Sequence, residues 1–563
     1  MIQQWQESHT LLTTAVSRFC DSSTLLEQQC TSQSGNSGDL ISRIDSSLDY
    51  LQSTLHQQLT LARVSLAQTR NRLARSAVSL PQEILCEIFR HVVYDPTDED
   101  DPSAVMISME RRVEKIYRRL YSLLGVCTAW WRTGLDCKAL WSVIPVNLGR
   151  RPQSTTLALQ RTGSNGLVLA LSLPLDTGRI FDALATHLSR FSVINISSNF
   201  LPDYTFITLL KMILRNGTSE CISSISIKYC RKEEEIIHWG KHATKPFDTF
   251  LAALEPQFYQ LVGSLSVLRL GALALNWGRT TFSDRLVVLQ LSGISLGRQP
   301  GIDAFIAALS SAYELRDLKL ISIQGVPNIT THIPVGDVSI LPHLESLYIE
   351  DLCLSMFSIF MTFITPGSYH LTLNLYPSLS TSYFTVDGTP DIRATFASYA
   401  QVCAILRLIK IDKLIICMDE SNPWSSATGL RALLKSVPKA QTIVMNSYHL
   451  DMDILRAFRQ PPRPPSWEST RDDLFPKLEV IEFHCSTIES PLGDLKKDIK
   501  YLLASHPVRR MVLGVHYHVE NEAPLDEDNE TIVWLKATVP EFYLFPEQHD
   551  PPEKTIVWQL WDV

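Results

Sequence analysis

No apolar run in this chain approaches the roughly 20 residues that a bilayer-crossing helix requires. The stretch Met1–Thr10 also lacks a charged region followed by an apolar core, so neither a membrane span nor a secretory signal is expected. Long basic runs are missing as well. Lys+Arg total 51 against 59 Asp+Glu, for a formal charge of −8. Neutralising a phosphate backbone needs clustered Lys and Arg, which argues against nucleic acid as a partner. The 11 cysteines include no C-x-x-C pair. Cys20 with Cys30, and Cys221 with Cys230, are too widely spaced for a zinc knuckle. Disulfide frameworks belong to short secreted chains, so reduced thiols in a cytoplasmic or nuclear protein are the expectation.

Signatures of catalysis are scarce too. There is no G-x-x-x-x-G-K-[ST] loop, no G-x-G-x-x-G opening a helix and no H-E-x-x-H. One G-x-S-x-G string occurs, Gly293-Ile294-Ser295-Leu296-Gly297. A nucleophile elbow turns straight into a helix, whereas Arg298-Gln299-Pro300-Gly301 reads as a loop, so Ser295 is expected in a plain turn. His238 and His242 have helical i,i+4 spacing but no third ligand near them in sequence; His516 and His518 alternate on an expected strand. The acidic segment 95–101 lacks the alternating oxygen ligands and central glycine of a calcium loop. No catalytic residue, metal ligand or cofactor site is expected.

What the chain does have is apolar material, 45% of its residues, and a length that calls for several units. Residues 1–39 are rich in Ser, Thr and Gln and read as flexible or loosely helical. From 40 to 78, Ile44, Leu48, Leu51, Leu55, Ala62, Leu66 and Leu73 form a heptad-like stripe. That spacing predicts an amphipathic helix of about 35 residues. The stripe must bury itself against something, either the following domain, which is the plainer choice, or a second copy through residues 41–75.

The next segment, 79–148, begins with Ser79-Leu80-Pro81 as a helix start. Glu83 in the first turn suits the helix dipole, and Ile84, Leu85, Ile88 and Phe89 form one apolar face. A second helical stretch is expected over about Val105–Trp131, with a third leading into Leu140-Trp141. The residues Leu80, Pro81, Glu83, Ile84, Leu85, Ile88 and Phe89, then Val126, Cys127 and Trp130, then Leu135, Leu140 and Trp141, resemble the F-box pattern. In that pattern L-P-x-E-[IL]-[IL]-x-x-[IL]-[IF] is followed by V-C-x-x-W and L-W. Two departures stand out: the insert between Phe89 and Leu123 is long and acidic, and Trp131 stands where the family usually carries Arg. The resemblance implies a three-helix module that binds a Skp-type adaptor and, through it, a cullin scaffold. A module this small leaves apolar surface uncovered after folding. Leu80, Pro81, Ile84, Leu85 and Val126 are the expected adaptor-binding residues. Ile88 and Phe89 are expected inside, and Cys127, Trp130 and Trp141 are expected to be structural.

From 149 to 515 the chain repeats an apolar helical patch, a short link and an L-x-x-L-x-L-like strand. The clearest copies centre on Leu268, Leu289, Leu318 and Leu347, which lie 21, 29 and 29 residues apart. Weaker copies centre on Ile194, Ile225, Leu414 and Ile481. Such triplets arise by chance roughly ten times in so apolar a chain, so context carries the argument. Leu341-Pro342-His343-Leu344-Glu345 and Phe475-Pro476-Lys477-Leu478-Glu479 precede two of the strands in one phase, and helical patches precede strands repeatedly. A helix, a proline stop and a short parallel strand make a unit that buries its face by stacking on its neighbours. The region resembles the leucine-rich-repeat receptors attached to many F-box modules, although the repeat asparagine is mostly missing and several intervals are long. The expected fold is therefore a multidomain α/β chain: a long N-terminal helix, a three-helix F-box, then an irregular horseshoe-like solenoid. Arg269, Gln290, Lys319 and Tyr348 lie between apolar strand positions and are expected to be exposed and target-facing. Segment 516–563 reads as an acidic loop and a C-terminal cap, with strands at Thr531–Trp534 and Thr555–Trp558. The resemblance implies a non-catalytic substrate receptor of an SCF-type ubiquitin ligase; the alternative is a repeat scaffold that supports no ubiquitin transfer.

Overall fold

A computed structural model describes residues 2–30, 37–73, 80–95, 109–146, 152–163, 166–173, 184–198, 204–215, 221–229, 254–273, 275–328, 340–364, 367, 369–385, 392–418, 422–460, 475–517 and 527–545. The chain divides into two compact units, Met1–Leu85 and Cys86–Val563.

The first unit is helical. Helix α1 spans Ile2–Cys30, regular where a flexible or loosely helical segment was expected. Helix α2 (Ser37–Tyr50) passes through a single π turn, Leu51–Leu55, into α3 (His56–Leu73), so the heptad-like stripe does lie on helix. None of the described side chains between 2 and 73 is buried; Ile44, Leu48 and Leu66 are exposed. The unit ends within helix α4 (Gln82–Tyr94).

The second unit opens with the rest of α4, then α5 (Met109–Leu124) and α6 (Thr128–Asp136). Gly125 breaks the single second helix expected from sequence. A 3-10 turn, Lys138–Trp141, leads into the first strand. The strands, in chain order, are β1 (Val143–Pro145), β2 (Leu167–Leu173), β3 (Phe191–Ser198), β4 (Ser224–Tyr229), β5 (Val267–Gly271), β6 (Val288–Ser292), β7 (Ser295–Arg298), β8 (Asp317–Ile321), β9 (Gln324–Val326), β10 (Ser346–Glu350), β11 (His370–Leu375), β12 (Thr381–Thr385), β13 (Ile392–Phe396), β14 (Lys413–Cys417), β15 (Thr442–Asn446), β16 (Val480–Ile488), β17 (Arg510–Tyr517) and β18 (Glu541–Phe545). Fourteen of them form one sheet in unbroken chain order, β1-β2-β3-β4-β5-β6-β8-β10-β11-β14-β15-β16-β17-β18, and each of those pairings is parallel. β7 with β9, and β12 with β13, form two small side sheets.

Parallel neighbours require a crossover between them, and helices supply most of the crossovers. Several start on capping side chains: Ser398 and Gln401 close a capping box, Ser426 accepts from Gly429 N–H, and Asp451 accepts from Ile454 N–H. The helices pack in chain order, Tyr399–Arg407 on Ala427–Ser436, then Met452–Ala457, Leu492–Ser505 and Glu530–Thr538. One sheet face carries leucine ladders: Ile194, Ile225, Leu268, Leu289, Leu318, Leu347 and Leu371 are successive cross-strand partners. These side chains are at most 5% exposed. They form the core beneath the helices, as alternate residues of a strand must when one face is covered.

Two boundaries differ from the sequence reading. The sheet begins at Val143, inside the segment assigned to the three-helix module, and it continues through β18 into the segment read as a cap. Thr531–Trp534 is helical rather than extended: Asn529 accepts a hydrogen bond from Thr531 N–H and starts the helix Glu530–Thr538. Its β-branched Thr-Ile-Val run suggested a strand, but the cap and the burial of Ile532 and Leu535 decide otherwise. The expected strand Thr555–Trp558 lies outside the described residues.

Candidate functional site

Two features present themselves: exposed apolar side chains at the F-box-like motif, and the polar face of the sheet. Along α4, Leu85, Phe89 and Val93 are buried, while Ile84, Ile88 and Val92 are 49%, 41% and 42% exposed. At about 100° per residue, positions four apart share a stripe and adjacent positions do not, so two apolar stripes lie side by side and only one is covered. Leu80, at 38%, and Pro81 are exposed just ahead of the helix. Leu85 is therefore corrected from surface residue to core, and Ile88 from core to surface. Val126 is 57% exposed in the turn before α6, and Trp131 is exposed on α6 itself.

The remaining signature residues in this region are structural. Trp141 is fully buried and donates its indole N–H to the Gly134 carbonyl at 2.9 Å. Trp130 packs against Phe89 with ring centroids 4.9 Å apart. Two buried tyrosines tie the helices to the start of the sheet. Tyr117 donates to the Val143 carbonyl at 2.7 Å, and Tyr94 donates to the Ala139 carbonyl at 3.0 Å. Burial pushes the Tyr94 hydroxyl up to about 12 and raises Tyr117 as well, so both remain protonated donors.

The second surface is the sheet face opposite the leucines. Asn195, Ser226, Arg269, Gln290, Lys319, Tyr348 and Thr372 are successive register partners across seven strands. The four residues expected to be target-facing thus form one continuous row. They are not exposed, however: Arg269, Gln290 and Tyr348 are buried and Lys319 is half-buried. Alternation along a strand fixes which face a side chain takes, not whether that face is open to solvent. On the same face, burial pushes the Asp317 carboxyl up, and the positive charges of Lys319 and Arg269 offset this only partly.

Further along, Glu350, Asn374, Ile415, Val444 and Glu482 are register partners across β10, β11, β14, β15 and β16. Tyr348, Ile415 and Val444 make a small buried apolar cluster there, with Ile321 against it. Glu482 is buried. His484 Nε2 lies 3.1 Å from one carboxylate oxygen and Arg510 Nε lies 3.4 Å from the other. Burial alone would raise Glu482, but His484, Lys413 and Arg510 outweigh it and hold the carboxyl below its ordinary value. Sequence does not mark this patch, since each of its residues is an ordinary strand position until the register aligns them.

The remaining motifs gather no chemistry. Gln299–Ser310 is a helix, not the expected loop, with Pro300 in its first turn. Gly301 is required there, because a Cβ would meet the Leu296 carbonyl oxygen at 2.0 Å. Ser295 nevertheless stands at the far end of β7, paired with Gln324, rather than at the turn into that helix as a nucleophile elbow demands. His516 lies on β17 beside Thr487; His518, His238, His242 and most of the acidic segment 95–101 are outside the described residues. Among the described residues, no three His, Cys, Asp or Glu side chains are grouped to hold a metal ion, the cysteines are free thiols, and no helix is long and apolar enough to cross a membrane. Neither a family model nor a curated protein matches this chain.

Proposed function

We propose that this chain is a non-catalytic substrate receptor: it docks a Skp-type adaptor of an SCF ubiquitin ligase through its F-box-like segment and binds a protein target through its repeat-like region. The observation that carries the adaptor contact is the uncovered apolar stripe at the motif itself. Leu80, Pro81 and Ile84 occupy the L-P-x-E-I positions and are exposed, while Leu85 and Phe89 pack inside. Val126, also exposed, belongs to the V-C-x-x-W part of the same motif. Exposed apolar residues at helical spacing suit a helix-mediated protein contact.

For the larger part we read an irregular α/β solenoid of the leucine-rich-repeat kind. The strict chain order of the parallel strands supports this, and so does a recurring corner. Ala272, Gly293, Ser322 and Asp351 each follow a strand at register-equivalent positions, and each has positive φ, 56°, 62°, 51° and 51°. A receptor of this kind acts by raising the effective concentration of its target near the transfer machinery, and it works in the cytoplasm or nucleus.

The test replaces Leu80, Pro81 and Ile84 together by Ala and measures capture of the adaptor by the full-length chain. Anchors of this kind are worth on the order of 2 kcal/mol or more each, so capture should fall at least tenfold with the circular dichroism spectrum unchanged. Undiminished capture by the folded variant would remove the assignment. Co-purification of a cullin with the adaptor separates the ligase receptor from a scaffold that binds the adaptor alone.

A further inference from the structure

Beside the large sheet, β12 pairs antiparallel with β13: Thr381 lies opposite Phe396, Tyr383 opposite Ala394 and Thr385 opposite Ile392. The inner edge of β12 is taken. Thr385 N–H donates to the Pro327 carbonyl at 3.0 Å, and Thr385 bridges Asn328 just past β9. The outer strand has no second neighbour among the described residues, and every residue of β13 is exposed. The strand is nevertheless held at its end, where Ala397 N–H donates to the Ser380 carbonyl at 2.7 Å and Ser398 starts the helix Tyr399–Arg407 with a capping box.

The Ala397 bond fixes which backbone groups face outward. Hydrogen-bonded pairs alternate along an antiparallel ladder, so Ser380 with Ala397, Ser382 with Thr395 and Phe384 with Arg393 exchange bonds. Ile392, Ala394 and Phe396 therefore turn their N–H and C=O away from β12. Alternation also places the side chains of these same three residues on one face. Ile392 is 48% exposed and Phe396 79%, with Tyr383 beside them at 42%. Proteins guard such an edge with charges, a proline or a bulge. β13 has Arg393 as its one charge, no proline, and an unbroken register with its neighbour.

A row of alternating outward N–H and C=O groups is complemented by another extended strand, not by a helix. The composition of β13 says which strand fits. A two-fold axis at Arg393 would set Arg393 directly opposite its own copy, and like charges so placed repel. An axis at Thr395 would set Ile392 opposite Ser398, already engaged as a helix cap. An axis at Ala394 overlaps the strand from end to end. It sets Ile392 opposite Phe396 of the second copy, a favoured aromatic and β-branched pair, and Arg393 opposite the neutral Thr395. The smallest side chain, Ala394, then meets itself on the axis. We infer that β13 is the self-association edge of this protein, pairing antiparallel with β13 of a second copy about a two-fold axis at Ala394. Such a contact is isologous and closes after two copies. It uses none of the residues assigned to the adaptor, so it stands independently of the receptor reading.

The test is sedimentation velocity on the full-length chain from about 1 to about 300 µM. Two five-residue strands make a small interface, so the monomer–dimer midpoint is expected on the order of tens of micromolar. Ala394→Pro removes the outward N–H on the axis; proline is admissible at an edge position whose N–H faces away from the ladder. It should weaken dimerisation at least tenfold with the circular dichroism spectrum unchanged. Ala394→Lys and Ala394→Glu, at an exposed position, should each weaken it as well, and equimolar mixing of the two should restore it, because position 394 opposes itself. A wild type that stays monomeric throughout overturns the proposal. So does a dimer that Ala394→Pro and Ala394→Lys both leave intact, since it forms through another surface. A dimer weakened by Lys and by Glu but not restored on mixing overturns the axis at Ala394. A monomer that retains extended peptides from a library, and loses them in Ala394→Pro, gives the edge to a foreign strand and overturns the second copy.

Discussion

Single residues in this protein are decided by whether a polar atom meets a partner after burial. His506 shows the logic. It is 4% exposed, accepts a hydrogen bond from Leu478 N–H at Nδ1 (3.3 Å) and donates from Nε2 to the Phe458 carbonyl (2.7 Å). Both bonds require the neutral ring with its proton on Nε2, because a charged imidazole has no lone pair left to accept. Burial lowers its pKa from the ordinary 6.5, and the carbonyls of Phe458 and Pro476 offset this only in part. Below about pH 6.5 the unfolded chain therefore binds more protons than the folded one. The contribution of His506 is complete above that pH and is lost as pH falls toward the folded-state value. Urea unfolding at pH 7.5 and 5.5 should show a larger loss for the wild type than for His506→Gln, which keeps a donor and an acceptor but does not titrate. Replacement by Ala, leaving Leu478 N–H and the Phe458 carbonyl without partners, should cost about 2 kcal/mol at pH 7.5.

At the scale of elements, the leucines of the strands were legible because a period of two and a repeated spacing survive in the sequence. Leu268, Leu289, Leu318 and Leu347 do pair across successive strands. The polar row beside them reads as solvated in the sequence, yet Arg269, Gln290 and Tyr348 are buried. A strand read alone shows which side chains alternate, but not whether the face they share is open to solvent. On α4 the apolar set was legible, yet its division into inner and outer stripes was not, since Leu85 and Ile88 are equally apolar and only packing distinguishes them. Most of the corners after the strands carry no sequence signal: Ala272, Ser322 and Asp351 take a conformation that glycine would advertise, and only Gly293 does. Ser322 and Asp351 have compensation, for Ser322 Oγ and Ser378 Oγ both donate to the Asp351 carboxylate, at 2.6 and 2.7 Å. Ala272 has only its backbone bond to the Ser292 carbonyl, 2.7 Å. The left-handed conformation costs an L-residue about 1–2 kcal/mol, somewhat more than the entropy lost on fixing a glycine. Ala272→Gly should therefore raise stability by about 0.5 kcal/mol, and Ala272→Val, β-branched, should lower it by at least about 1 kcal/mol. Chemical denaturation distinguishes the two signs; a loss with Gly as large as with Val would mean that the corner is not strained.

In the Cys86–Val563 unit as a whole, no strand of the large sheet pairs with any but its neighbours in the sheet order. On the proposed solenoid reading, order passes from one strand-helix unit to the next, and stability approximates a sum of local terms and neighbour interfaces. A lesion should then be felt over a few units and fade with distance. Leu513 is a suitable place to make one. It is 1% exposed on β17, with Phe483 and Leu544 as its partners on β16 and β18, and truncating a buried leucine to Ala costs about 2–5 kcal/mol. Hydrogen exchange on Leu513→Ala should show lost protection in β15 to β18, with β3 to β6 exchanging as in the wild type. If protection instead falls evenly from β3 to β18, the sheet unfolds as one cooperative body, and the solenoid reading yields to that of a single large α/β domain.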